Sequence, residues 1–256
     1  MPRRPKLVDL TLPLETLPFD ADGMNPRITH LTHETNAERM TTIFGCQRAD
    51  LPGGIGWASD RVELATHAGT HLDAPFHFWP QSEGKRAITI DEVPLDWCYS
   101  DGVVLDVRHL PAGALIGVDD VKEALRKIEY ELKPMDIVMI MTGASKLWGT
   151  PEYFTNYPGM GRESTLWLID RGIKVMGTDA WGWDRPFRVM AEEFARTGDK
   201  KIIWGGHFAG IDKEYLHIEK LANLDKLPPH GFKVSCFPIP VSKASAGWVR
   251  VVAFLD

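Results

Sequence analysis

Hydrophobic positions fall in short β-rich runs separated by polar and glycine-containing turns: GVVLDVR (102–108), DIVMIMTG (136–143), IKVMGTDA (173–180), KVSCFPIPV (233–241) and WVRVVAFL (248–255). Several are apolar at successive positions, the pattern of central strands covered on both faces. Between them the period changes. In VDDVKEALRKIEYEL (118–132), Val118, Val121, Leu125, Ile128 and Leu132 recur at helical spacing, and ESTLWLIDRG (163–172) ends in a glycine suited to a helix C-terminus. Strands alternating with helices predict an α/β domain. No repeat of about 20–50 residues is visible. The segments LPGGIGW (51–57) and WGTPEYFTNYPGMG (148–161) read as long loops able to wall a pocket.

Composition narrows the picture. At 256 residues and 44% hydrophobic, the chain can bury a full core, and no low-complexity or charge-block stretch marks a linker, so residues 1–256 are expected to form a single domain. The longest strongly apolar run, IVMIM (137–141), is far below the roughly 20 residues of a membrane-spanning helix, which predicts no membrane partner. The formal charge of −6 comes without a clustered Lys/Arg face, which argues against nucleic acid. The N-terminal MPRRPKLVDLTLPL has no secretory apolar core, and the three cysteines are odd in number and widely spaced, so a reducing cytoplasm is expected.

One stretch carries chemistry. THAGTHLDAPFHF (66–78) holds His67, His71, Asp73 and His77. A helix cannot present all four, because Asp73 would lie about 240° round from His67 and Pro75 disrupts helix continuation. The four share one parity, so an extended chain projects them from one face, with a bend permitted by Gly69 bringing His67 back. Two imidazoles and a carboxylate make a mixed N/O set for Zn²⁺, Mn²⁺ or Fe²⁺, and three protein ligands leave positions open for water or substrate, as in a catalytic site. Hydrogen-bonded structural histidines are the alternative, and three on one face beside an aspartate argue against it.

HAGTHLDAPFH resembles the HxGTHxDxPxH signature of the metal-dependent cyclase/hydrolase family that includes bacterial kynurenine formamidases and isatin hydrolases. VDLTLPL looks like that family's opening strand, and GTDAWGWDRP, HIEKLANLDKLP, VSCFP and KASAGWVRVVA look like the longer, isatin-hydrolase-like branch, so the resemblance covers nearly the whole chain. It implies a swivelling β/β/α-type cyclase fold with a mixed sheet, and a homodimer or higher homo-oligomer. It also implies that His67, His71 and Asp73 ligate the metal and that His77 is the catalytic histidine. His207 and Glu219, twelve residues apart, match the family's further His/Glu pair, for a second ion or a role beside the first; His217 competes but lacks that spacing. One divalent ion, Mn²⁺ or Zn²⁺, is the preferred cofactor.

The ion would polarise a carbonyl and acidify water, with His77 moving the proton, which predicts hydrolysis of an amide or lactam. A small aromatic or heterocyclic substrate is expected, with Trp57, Trp79, Trp181 and Trp183 as candidate pocket rings and Ser245 as a hydrogen-bonding group. An isatin-like lactam is the first choice and N-formylkynurenine the alternative. A metal-dependent binding protein without turnover is the remote one, and His77, which ligation alone does not require, argues against it. Other chemistries are weak: GMGRES (159–164) reads as a turn before a helix rather than a phosphate loop, no GxSxG is present, and Asp179 and Asp184 read as surface or turn-capping residues without a catalytic role.

Overall fold

The computed structural model describes residues 4–18 and 23–255. They divide into two compact units, Leu14–Ala65 and the remainder. In the smaller unit, Arg27–Leu31 pairs antiparallel with Ser59–Glu63, and the helix Ala37–Phe44 ends on Gly45 in the left-handed region. Asn36 ties these parts together, its side-chain amide donating to the Leu31 and Trp57 carbonyls and to Ser59 Oγ.

The larger unit carries a nine-stranded sheet. Its strands are β1 (Lys6–Asp9), β2 (His71–Asp73), β3 (Tyr99–Asp106), β4 (Ile137–Met141), β5 (Val175–Thr178), β6 (Leu216–Glu219), β7 (Phe232–Ser235), β8 (Ala246–Trp248) and β9 (Val252–Leu255). Their order is β1-β9-β7-β3-β4-β5-β6-β2-β8. The pairs β3–β4, β4–β5 and β5–β6 are parallel and the others antiparallel, so the sheet is mixed and the fold α/β, as the patterning predicts. Every residue of β4 is buried. Alternation assigns its two faces to two cores: Ile137, Met139 and Met141 enter one, while Val138 and Ile140 enter the other. The second core is completed by helices α2 (Val118–Lys127) and α3 (Arg162–Ile169), through Val121, Ala124, Leu125, Leu168 and Ile169.

Two sequence expectations change. The helical pattern over 118–132 stops at Lys127, because Glu129 turns into the left-handed region at φ 51; Ile128, Tyr130 and Leu132 still pack on the same core from irregular backbone. The run 248–255 is not one strand but parts of β8 and β9, which lie far apart in the sheet order. Only residues 249–251 join them, a span of about 10–14 Å at full extension. The sheet must therefore curl until β8 approaches β9. Two contacts record this closure: Leu10 N donates to the Val251 carbonyl, and Thr11 bridges Leu221 just beyond β6.

Candidate metal centre and active site

The site is built on β2 and β6. Their antiparallel register sets Asp73 opposite His217 and His71 opposite Glu219. Because side chains alternate, these four share one face, while Leu72 and Ile218, fully buried, point into the core on the other. Gly69, at φ 61, makes the expected bend, and His67 returns so that its Nδ1 lies 2.8 Å from Asp73 Oδ1. His77 arrives differently from the extended reading. Pro75 opens a helical turn, α1 (Pro75–Phe78), because at the first helical position its fixed φ is pre-organised and its missing N–H is not needed. The turn carries His77 Nε2 to 3.9 Å from Asp73 Oδ2 and its ring to 4.1 Å from that of His67.

Two more histidines complete the cluster. His207 lies on the helix Gly205–Asp212, whose N-terminus is capped by Asp184: its carboxylate accepts from Gly206 N and His207 N, and from His207 Nδ1 at 2.5 Å. That bond turns His207 Nε2 toward Glu219 Oε1, 3.6 Å away. His217 Nε2 is 3.0 Å from Asp73 Oδ2 and 3.4 Å from Glu219 Oε1. The twelve-residue spacing favours Glu219 with His207, yet strand pairing brings His217 to the centre. The signal was the alternation His217-Ile218-Glu219, which puts both polar groups on one strand face.

The donor set fits a cation. Among the described residues, four buried atoms, His71 Nε2, both Asp73 carboxylate oxygens and His217 Nε2, form no hydrogen bond, although His71 Nε2 is 3.2 Å from Asp73 Oδ1. A buried carboxylate without such partners is costly unless a positive charge joins it. Single donor atoms of Asp73, His207, His217 and Glu219 lie within 4.8 Å of one another, as do those of His67, Asp73 and His77. Asp73 belongs to both groups; His71 stands outside both but touches their shared carboxylate. Outer bonds fix the rings: His71 Nδ1 lies 2.9 Å from the Gly69 carbonyl, which makes it the N–H nitrogen and leaves the Nε2 lone pair facing inward, and His67 Nε2 meets Ser245 Oγ at 2.9 Å.

Electrostatics divide the histidines. Burial pushes His77 down to about 3 against the pull of Asp73, so it is neutral near pH 7. Burial also opposes charge on His217, but the Asp73 and Glu219 carboxylates, 3.0 and 3.4 Å from its Nε2, carry it up to about 9. Without a metal, a proton on His217 therefore supplies the positive charge the two carboxylates demand. A bound ion must displace that proton, so affinity for Zn²⁺ or Mn²⁺ should rise as pH rises toward about 9. The raised pKa also stabilises the metal-free fold fully below about 6.5, and this contribution fades as pH climbs through about 9. Thermal melts across that window, with and without the ion, should show opposite trends; parallel curves would refute this account.

Aromatic rings pack behind the histidines. Trp183 is 1% exposed, bonded through Nε1 to Thr165 Oγ1 and stacked on His217, so it braces that ring and is not a pocket wall, which corrects the sequence expectation. Phe78 stacks against both His217 and Tyr215. A Cβ at Gly210 would meet Phe78 Cδ2 at 2.4 Å. Gly210→Ala should therefore cost about 1–3 kcal/mol through overpacking, exceeding the ~1 kcal/mol gain in helix propensity. Denaturant unfolding checks the sign.

Trp181 is half-buried among Phe154, Phe187 and Lys220, and Trp79 is exposed beside Phe208. Trp57 belongs to the smaller unit. Trp204, which no sequence pattern marks, stacks on His207 at 4.0 Å and meets His77 edge-on at 5.2 Å. Asp179 and Asp184 are buried caps rather than surface residues: Asp179 accepts from Thr142 N, Thr142 Oγ1, Gly143 N and Ser145 Oγ.

Comparison with known proteins agrees with this architecture. A kynurenine formamidase of Geobacillus thermodenitrificans (strain NG80-2) is 26% identical over 191 residues, covering 74% of this chain and 77% of its own. An isatin hydrolase bound to the product analogue thioisatinate superposes with a TM-score of 0.75 at 19% identity, covering 98% of this chain and 92% of the other. A potential metal-dependent hydrolase with cyclase activity gives 0.64 at 20% identity, covering 98% of each chain. The Cyclase family model matches residues 8–185, more than half of the sequence and including the whole histidine motif, and the chain belongs to the Cyclase family.

Proposed function

We propose that this protein is a metal-dependent hydrolase of amide C–N bonds whose substrate is an isatin-like lactam. The observation that carries the reading is the convergence of unpartnered, buried donor atoms from His71, Asp73 and His217 beside a neutral His77. We assign His67, His71 and Asp73 to one divalent ion, Mn²⁺ or Zn²⁺. The alternative is a second ion on His207, His217 and Glu219 with Asp73 shared, which the grouping of their four donor atoms favours. Such an ion, when bound, supplies Lewis-acid polarisation of the scissile carbonyl and makes water acidic enough to attack near neutral pH.

The chain's own groups do the rest. His77, uncharged and beside the Asp73 carboxylate, takes a proton from the attacking water at Nε2 and returns it to the leaving nitrogen. Ser245 accepts from His67 Nε2–H, holding Nδ1 toward Asp73. Trp181 and Trp79 remain the candidate walls for a planar ring. A homodimer is the assembly we propose from the family resemblance.

The first test is a side-by-side kcat/KM comparison on metal-loaded protein. Isatin should open to a ring-cleaved carboxylate, read as loss of its visible absorbance, and N-formylkynurenine should be much poorer. The second reading, an arylformamidase, is favoured by the 26% identical formamidase relative. A clear preference for the formamide with isatin inert would establish it instead and leave the metal site intact.

A further inference from the structure

Tyr153, Tyr157 and Tyr215 are each no more than 1% exposed, and burial of that degree obliges a hydroxyl to find a partner. Tyr153 donates to the Asp179 carbonyl at 3.3 Å and Tyr215 to the Gly206 carbonyl at 2.8 Å. Tyr157 differs. It lies in the loop 148–161, where its carbonyl accepts from Gly113 N at 2.8 Å, but its hydroxyl forms no hydrogen bond among the described residues.

Gly182 shows what that hydroxyl faces. A Cβ built on Gly182 would stand 3.4 Å from Tyr157 Oη and 3.8 Å from Glu219 Oε1, both ordinary van der Waals distances. Its backbone lies outside the left-handed region. Neither crowding nor conformation therefore demands a glycine here, in contrast to Gly177 and Gly206, where a Cβ would meet side-chain atoms at 2.7 and 2.8 Å. What the missing side chain leaves is a notch between the phenol and the carboxylate. Glu219 Oε1 accepts from Trp183 N at 2.8 Å and lies 3.4 Å from His217 Nε2, so the notch borders the metal centre.

A phenol near neutral pH keeps its proton and donates it to an acceptor. The Glu219 carboxylate across the notch disfavours an anionic oxygen, which leaves a neutral carbonyl as the fitting partner. We propose that Tyr157 donates to a carbonyl oxygen received in the Gly182 notch, and that it thereby selects substrates with a second carbonyl adjacent to the scissile one. This rests on the hydrolase reading above and narrows it. Cyclic α-keto amides carry that second oxygen; simple lactams do not.

Calorimetric binding to Mn²⁺- or Zn²⁺-loaded protein tests the contact without turnover. The probes are phenylglyoxylate, with a ketone beside its carboxylate, and phenylacetate, with a methylene in that place. Tyr157→Phe keeps the buried ring and removes only the hydroxyl. Affinity for phenylglyoxylate should fall roughly 2- to 10-fold, the usual worth of a hydrogen bond between uncharged groups, while phenylacetate binds unchanged. Gly182→Ala approaches the notch from the other side: its methyl fills the space, so the preference for the ketone acid should shrink by a similar factor. Adding Tyr157→Phe to it should then remove no more of that preference. Equal weakening of both acids in Tyr157→Phe, or no change in either, overturns the proposal, as do losses that simply multiply in the double variant. If the ketone-specific loss is found and isatin is still not hydrolysed, the lactam reading fails alone.

Discussion

Asp73→Ala should leave the protein unable to retain a divalent ion through gel filtration, measured as metal per chain by elemental analysis. Asp73 is the one residue in both groups of donor atoms, and three histidines, His67, His71 and His217, approach its oxygens within 3.2 Å. Its carboxyl is held well below the usual carboxylate range: burial opposes the charge, but His77, His71 and His67 around it and His217 Nε2 3.0 Å away outweigh that cost. Removing it leaves neutral imidazoles and the more distant Glu219 to offset a double positive charge. The loss of affinity should exceed the about 10- to 100-fold typical when only an outer hydrogen-bonding partner of a ligand is removed. The sheet should persist, because Leu72 keeps β2 anchored in the core and β2 retains β6 and β8 on its two sides. Full metal occupancy in a folded Asp73→Ala protein would remove Asp73 from the ligand set.

How much of this was legible in the sequence depends on the range of the interaction. The interior of β4 was readable because five consecutive apolar residues have few other destinations, and the Gly69 bend was readable because a ligand at 67 needs it. Pro75 was misread: the rule that proline breaks helices holds for interiors, whereas here it begins a turn and thereby aims His77. The division of 248–255 into β8 and β9 follows from sheet closure, a property of nine strands together that no local window contains.

The same distinction explains the site. His67, His71, Asp73 and His77 lie within one short motif, so local chain geometry was enough to associate them. His217 joins them through strand register, and register is fixed by which faces are buried across the whole sheet. Trp204 was hidden for another reason. It takes a left-handed backbone, at φ 53, that its residue type does not advertise.

His77→Ala should lower kcat about 10²- to 10⁴-fold while leaving metal content unchanged. His77 stands 3.9 Å from Asp73 Oδ2, a longer approach than that of His67, His71 or His217, which suits a group that moves protons beside the ion more than one that binds it. Its surroundings favour the neutral form: burial pushes its pKa to about 3, so at pH 7 a ring lone pair is free but weakly basic, and the Asp73 carboxylate beside it is what favours the protonated ring when a proton arrives. His67, Phe78, Trp204 and His207 surround its ring, which limits its motion and keeps Nε2 aimed at the cluster. His77→Gln should be nearly as slow as alanine, since glutamine offers hydrogen bonds but takes up no proton at these pH values. Elemental analysis and steady-state rates on the same preparation separate the two roles. If activity and metal are lost in proportion, His77 is a ligand; if neither changes, the proton passes through another group.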